Sequence, residues 1–246
     1  AWLSSETNRQ AIAGVITDVR ERIESRPEFQ VRVMAVDGAS PDLAETVRAA
    51  LGVDLPSSSF DLDLEALQDK ALMIDAVKKA DLRIRQGGVL QVDIVERTPQ
   101  VLWRNAEGLR LLDGKGILVG AAESRAAFAA LPVIAGEGAA DAVPEALRLF
   151  AVTGPIRARL RGFERMGARR WDVVLDRDQR IMLPETGAVQ ALERVIAMDQ
   201  AVDMLSRDLV TVDLRLPRRP TIRMTSNATQ EMWRIKAIEA GGAVQQ

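Results

Sequence analysis

Cysteine, histidine and tyrosine are absent from this sequence. Without cysteine there is no disulfide framework and no thiol nucleophile. Without either cysteine or histidine, the usual zinc-ligand sets and the histidine-dependent triads cannot be assembled. The lack of cysteine suits a reducing compartment, and equally an oxidising one that the chain meets without staples. Lysine is scarce too, occurring only at 70, 78, 79, 115 and 236, so nearly all the basic character is arginine. Thirty-three basic residues oppose thirty-five acidic ones, for a net charge of −2. A field so balanced offers no general attraction for a phosphate backbone, and no basic patch marks a nucleic-acid footprint. No apolar run approaches the ~20 residues needed to span a bilayer. The chain opens on Ala1-Trp2-Leu3 rather than Met, which is read as the trailing edge of a hydrophobic segment upstream.

What is present is a real core. Hydrophobic residues make up 47% of 246, which argues against wholesale disorder and for one or two domains. The stretch Val89–Glu96 alternates Leu90, Val92 and Ile94 with Gln91, Asp93 and Val95, the period of a strand with one buried face. Pro99 cannot donate to a ladder and ends the pairing. A second apolar run starts at Val101 with almost no linker, so two compact units are expected to meet at a stiff joint.

Before that joint, Ile12, Val15, Ile16, Val19 and Ile23 predict a helix over residues 10–25, closed by Pro27. Phe29, Val31, Val33 and Ala35 alternate with Gln30, Arg32 and Met34 as a strand, and Val36-Asp37-Gly38 is a turn. Ser40-Pro41 opens a helix with Leu43, Val47, Ala50 and Leu51 inward and Gly52 at its end. Asp63 caps a second helix with Leu64, Leu67 and Ala71 inward. Ala80, Leu82 and Ile84 then form a strand that turns through Gln86-Gly87-Gly88 into Val89–Glu96. The order is strand, helix, helix, strand, strand, with both helices on one side of a small sheet. That order resembles the POTRA domain, a polypeptide-binding fold that often works through a sheet edge.

Past the joint, Leu109 and Leu111, the turn Asp113-Gly114-Lys115-Gly116, and Ile117-Leu118-Val119 read as a hairpin. Gly114-x-Gly116 lacks the Lys-Ser/Thr and the helix that a phosphate loop needs. Residues 131–134 predict a short edge-like strand, and residues 144–152 a helix with Ala146, Leu149 and Phe150 inward. A second short helix opens at Pro155. Trp171, Val173 and Leu175 pair through a turn with Ile181 and Leu183. After Pro184, residues 186–205 predict one long helix carrying Val189, Leu192, Ile196 and Leu205. Val210, Val212, Leu214 and Leu216 alternate to a turn at Pro217-Arg218-Arg219-Pro220, and Ile222 and Met224 end a last strand. Met232, Trp233, Ile235 and Ile238 suggest a terminal helix.

The POTRA-like unit running through Glu96-Arg97-Thr98-Pro99 to Trp103 is followed, in order, by further matches. They are Asp113-Gly114-x-Gly116, Arg169-Arg170-Trp171, Leu183-Pro184 and Val212-Asp213-Leu214-Arg215-Leu216. Together they resemble the FtsQ/DivIB family of bacterial cell-division proteins over residues 29 to 225. Arginine-rich, lysine-poor usage and Arg215-Leu216-Pro217 are similar to its alphaproteobacterial FtsQ branch.

The resemblance implies an α+β protein: a membrane-proximal stalk over residues 1–28, a POTRA domain over 29–99, a mixed β-sheet domain over 100–225 and a tail over 226–246. It implies a non-enzymatic scaffold of the divisome in a Gram-negative bacterium. Such a scaffold is held in the inner membrane by one transmembrane helix absent from this chain, with the present part in the periplasm at the septum. The implied partners are FtsB and FtsL, and for the POTRA domain other division proteins. No catalytic, cofactor or metal residues, no nucleic acid and no small-molecule substrate are expected.

In this family a segment of FtsB is received beside the last strands, which is physically strand addition to an unpaired edge. Thr221–Met224 is the expected edge. The partner-binding set is Arg170, Arg215, Leu216, Thr221, Ile222, Arg223 and Met224, with Arg170, Arg215 and Arg223 pairing acidic residues of the partner. The position after Arg215 is commonly aromatic in better-known relatives and is Leu216 here, so an aromatic anchor is lost. On residues alone, the favoured reading is structural: Arg170 lies along a neighbouring strand, and Arg215 pairs with Asp213 or Asp172 across the sheet. Two other readings are a hydrolase with paired carboxylates, which no motif supports, and a POTRA protein of secretion or outer-membrane assembly. The single POTRA-like unit and the helix after Pro184 argue against the second.

Overall fold

A computed structural model describes residues 29–216 and 219–242. The helix expected over residues 10–25 and the Pro217-Arg218 half of the last turn lie outside the described residues. The chain divides between Thr98 and Pro99 into two units, each with its own apolar core.

The first unit opens with β1 (Gln30–Val31) and β2 (Val33–Asp37). The single alternating strand expected here is broken at Arg32. The amides of Arg32 and Val33 both donate to the Gly88 carbonyl, at 2.8 and 3.3 Å. One residue is thereby inserted and the faces reverse, as at a bulge. Val31 is fully buried while Val33 is 55% exposed, and Met34 and Val36 take the inward side.

Helix α1 (Pro41–Leu51) buries Leu43, Ala44, Val47 and Leu51. Its stripe is centred between Leu43 and Ala44, so Ala50, expected inside, falls outside it and is exposed. Ser40 does not cap with its hydroxyl. Its amide and Oγ instead donate to the Glu96 carboxylate, at 2.9 and 3.3 Å. β3 (Ser57–Ser58) pairs with β1. In α2 (Leu64–Leu72), Asp63 Oδ1 accepts the Ala66 amide at 3.1 Å as expected of an N-cap. β4 (Val77–Arg85) and β5 (Val89–Glu96) complete a sheet of order β2-β5-β4, with β2 parallel and β4 antiparallel to β5. Ala80, Leu82, Leu90, Val92 and Ile94 share one core with the buried faces of both helices. This is the POTRA fold.

The second unit begins with the meander β6 (Val101–Asn105), β7 (Gly108–Leu112) and β8 (Leu118–Ala121). Asp113 Oδ1 accepts the amides of Lys115 and Ile117, at 2.9 and 3.0 Å, so the glycine pair there serves a turn. Next come β9 (Val133–Ala135), α3 (Val143–Val152) and β10 (Leu160–Met166).

β9, expected at an edge, lies inside the sheet between β6 and β10 and parallel to both. Pro132 sits just before the strand and contributes only its carbonyl, which accepts the Leu102 amide at 2.9 Å. β10 is a strand that the sequence pattern does not predict. A bulge between Leu160 and Gly162 spoils the alternation by which a strand is recognised.

β11 (Arg170–Leu175) and β12 (Arg180–Met182) form the expected hairpin. α4 (Ala188–Val202) is shorter than predicted: Asp203, at φ 48, ends it. Leu205 is buried from a separate 3-10 turn, its amide donating to Asp199 Oδ1 at 2.6 Å. β13 (Leu209–Asp213), β14 (Thr221–Met224) and α5 (Ser226–Gly242) close the chain. The alternation expected to Leu216 stops at Asp213, whose Oδ1 takes the Arg215 amide at 3.0 Å, and Leu216 is 65% exposed.

The nine strands form one open sheet in the order β14-β13-β12-β11-β10-β9-β6-β7-β8. The parallel steps β9 to β10 and β12 to β13 require crossovers, supplied by α3 and α4. Both helices pack on the face carrying Phe163, Trp171, Ile181 and Val212. The sheet is thus apolar on one side and free to be polar on the other.

Gly38 (φ +80) is held where a Cβ would stand 2.1 Å from the Ile94 carbonyl oxygen, whereas Gly87 (φ +91) faces open space. Gly87→Ala should cost about 1 kcal/mol from the backbone alone, and Gly38→Ala more than about 2 kcal/mol. Urea denaturation of the two variants checks the order; equal losses would contradict it.

Candidate functional site

β14 occupies one margin of the nine-stranded sheet. Its register to β13 sets Asp213 opposite Thr221, Val212 opposite Ile222 and Thr211 opposite Arg223, with a bulge before Leu209 and Met224. No described strand lies on its other side. All four residues are exposed. A margin strand of this kind presents a row of backbone N–H and C=O groups to any chain that can pair with it. Ile222 and Met224 alternate with Thr221 and Arg223, so the margin offers an apolar side and a polar side. Thr225 anchors the start of α5: its Oγ1 donates to Asp208 Oδ2 at 2.7 Å and accepts the Ala228 amide at 3.2 Å. Trp233, Ile235 and Ile238 of α5 are exposed.

The register carries Thr221 into a row across the polar face: Glu164, Asp172, Met182, Asp213 and Thr221 stand side by side on β10 to β14. Three of these five are acids on adjacent or near-adjacent strands, a repulsive arrangement unless cations intervene. Arginines do so. Arg215 grips both carboxylate oxygens of Asp213, at 2.6 to 3.0 Å. Arg170 Nη1 meets Asp172 Oδ1 at 3.2 Å. Arg180 pairs with Glu164 and lies 3.8 Å from Asp172.

The three arginines expected to act together, Arg170, Arg215 and Arg223, share this face without forming a bare cationic cluster. Arg170 and Arg215 are engaged by Asp172 and Asp213, and Arg223 is exposed on the margin opposite Thr211. Leu216 is off the strand. Arg180, Glu164 and Asp172 carry no motif that marks them as site residues, and only the register of β10, β11 and β12 reveals that they adjoin.

The two acids titrate in opposite directions. The Arg215 hydrogen bonds hold the Asp213 carboxyl below its ordinary value. This pair therefore adds stability above about pH 4, the unfolded carboxylate value, and loses it as pH falls through the lowered value. Asp172 is almost wholly buried, and that burial raises its carboxyl despite Arg170 and Arg180. Its ionised form is therefore a cost to the fold at neutral pH. Among the described residues no group of three acids is placed to hold a metal, and no helix is long and apolar enough to cross a membrane.

A POTRA unit followed by an open mixed sheet with helices on one face defines a two-unit, POTRA-plus-β protein. The family model for the C-terminal part of the cell division proteins FtsQ/DivIB matches residues 101–215. The chain is 51% identical over 237 residues to the cell division protein FtsQ of Roseobacter litoralis, covering 96% of this chain and 81% of that protein. It is 48% identical to FtsQ of Cereibacter sphaeroides, covering 98% and 78%. With FtsQ of Agrobacterium fabrum it shares 30%, covering 94% and 72%. The chain belongs to the FtsQ/DivIB family of cell division proteins.

Because burial raises the Asp172 carboxyl despite its arginine neighbours, Asp172→Asn should cost less stability at pH 7 than Asp213→Asn. Asp213→Asn should lower stability and flatten its decline below pH 4. Denaturant midpoints between pH 3 and 7 check both; a larger loss for Asp172→Asn would contradict the assignment.

Proposed function

We propose that this chain is a non-catalytic scaffold of the division machinery that receives a strand of FtsB on β14, with FtsL carried alongside. In this reading residues 29–99 serve as the POTRA domain and residues 100–225 as the β domain. Both stand in the periplasm at the septum, and a single transmembrane helix outside this chain anchors them in the inner membrane. The POTRA domain meets other division proteins.

The observation that carries the reading is the open margin at Thr221–Met224, paired on one side only among the described residues and exposed along its whole length. An added strand would complete its backbone hydrogen bonds, and alternate side chains would set selectivity. Ile222 and Met224 give apolar contact on one side. On the other, Arg223 supplies a cation beside Thr221. Arg215, half exposed, and Arg170 can exchange part of their internal pairing for partner carboxylates. Leu216 contributes an exposed apolar side chain beside the margin where an aromatic one would bury more area.

A peptide from the periplasmic end of the FtsB partner tests this by fluorescence anisotropy. Arg215→Glu combined with Arg223→Glu should weaken binding at least tenfold, since two charge pairs become repulsions. N-methylation of alternate peptide amides should abolish binding in one parity and spare it in the other. Equal tolerance of both parities would mean that no strand is added.

A further inference from the structure

The polar face of the nine-stranded sheet continues past the acid row into a groove that partner addition at β14 does not use. A cavity of about 500 Å³ lies over β6, β9, β10, β11 and β12, with Arg104, Arg125, Arg161 and Arg180 on its walls. It adjoins a second, of about 330 Å³, which shares Arg125 and Arg161 and adds Arg157. Among the described residues, Glu164 is the one acid lining either.

The floor is low and apolar: Val133, Ala135 and Val174 surround Gly162, where a Cβ would stand 2.7 Å from the Val133 carbonyl oxygen. The missing side chain leaves the strand backbones within reach of a ligand.

The five arginines differ in how far they are neutralised. Arg180 is paired with Glu164. Among the described residues, Arg125 donates only to the Phe128 and Ala129 carbonyls, and Arg157 to the Phe150 carbonyl and Thr153 Oγ1 while stacking over the Phe150 ring. Those partners carry no formal charge. Arg161 acts on Asp176 only through space, and Arg104 has no hydrogen bond or ion pair among the described residues. In a chain of net charge −2 this is a local cationic excess on one groove.

We propose that this groove is a second docking surface and that it takes an extended acidic peptide segment of a partner protein. Charge complementarity selects the acid, and guanidinium forks match carboxylates in pairs. Length selects the peptide. Arg104 on β6 and Arg180 on β12 are four strands apart, about 19 Å at the backbone, which an extended segment of about six residues spans and a lone anion does not. The apolar floor takes the aliphatic parts of such a segment.

Fluorescein-labelled hexaglutamate, added to the full chain at low salt, is the probe. It should bind, hexaglutamine should not, and raising salt from about 50 to about 300 mM should weaken it about tenfold. Arg104→Gln with Arg161→Gln should weaken it at least tenfold at unchanged melting temperature, since both side chains are exposed. Arg215→Glu with Arg223→Glu should leave it unchanged, which separates this groove from the β14 margin. The proposal is overturned by any of the following results. They are no binding of hexaglutamate, unchanged affinity in the Arg104/Arg161 variant, loss in the Arg215/Arg223 variant instead, or displacement by inorganic phosphate at equimolar concentration. Tighter binding of a DNA oligonucleotide at the same arginines would also overturn it, pointing to a different class of partner.

Discussion

An open sheet ends on strands whose outer N–H and C=O groups have no ladder partner within the sheet, and the second unit presents such an end. Nine strands pair in an unbroken series, and the series must end somewhere. At β14 it ends on four exposed residues with one neighbour among the described strands. Many proteins blunt such a margin with a bulge, a charge or a covering element. Here a bulge and Arg223 are present, but Ile222 and Met224 keep apolar area in the open beside the free backbone. That combination suits pairing with a chosen chain better than avoidance of all chains.

The rest of the unit holds this margin in place. α3 and α4 supply the crossovers from β9 to β10 and from β12 to β13, and bury Phe163, Trp171, Ile181 and Val212 on one face. Trp171 also donates its Nε1 to Glu145, at 3.1 Å, and Glu145 in turn engages Arg165, which lies over the Trp171 ring. The edge therefore projects from a sheet packed on an apolar core. The opposite face is left without that cover and is filled instead by arginines and carboxylates in register. Its pairs lie between the cost of burying charge and the weakness of surface pairs. Arg215 and Asp213 gain at the surface, while Asp172 bears the burial.

The POTRA unit is legible in the sequence because its signals are local. Ser40-Pro41, Gly52, Asp63 and Gly87-Gly88 punctuate the chain at its element ends, and Leu90, Val92 and Ile94 show a clean period of two. What failed there was phase: one inserted residue at Arg32 reversed a strand that composition alone reads as continuous. In the second unit the failures share a cause. β10 is hidden by a bulge, β9 looks peripheral because its interior position depends on two parallel neighbours far apart in sequence, and the 186–205 helix is cut by Asp203 in a left-handed conformation. The last strand and its marginal position agree with the reading from residues. The arginines do not follow it so simply, because whether Arg215 faces a partner or Asp213 is decided by distances of a few ångströms. The row of Glu164, Asp172 and Asp213 exists only once register is known.

The central claim is that Thr221–Met224 pairs with an incoming strand, and amide hydrogen exchange reads this directly. With saturating peptide from the periplasmic end of the proposed partner FtsB, the account predicts new protection at alternate amides of Thr221–Met224, with little change in the POTRA unit. Bound peptide that leaves the exchange of these four residues unaltered, while protecting amides elsewhere in the second unit, would contradict it.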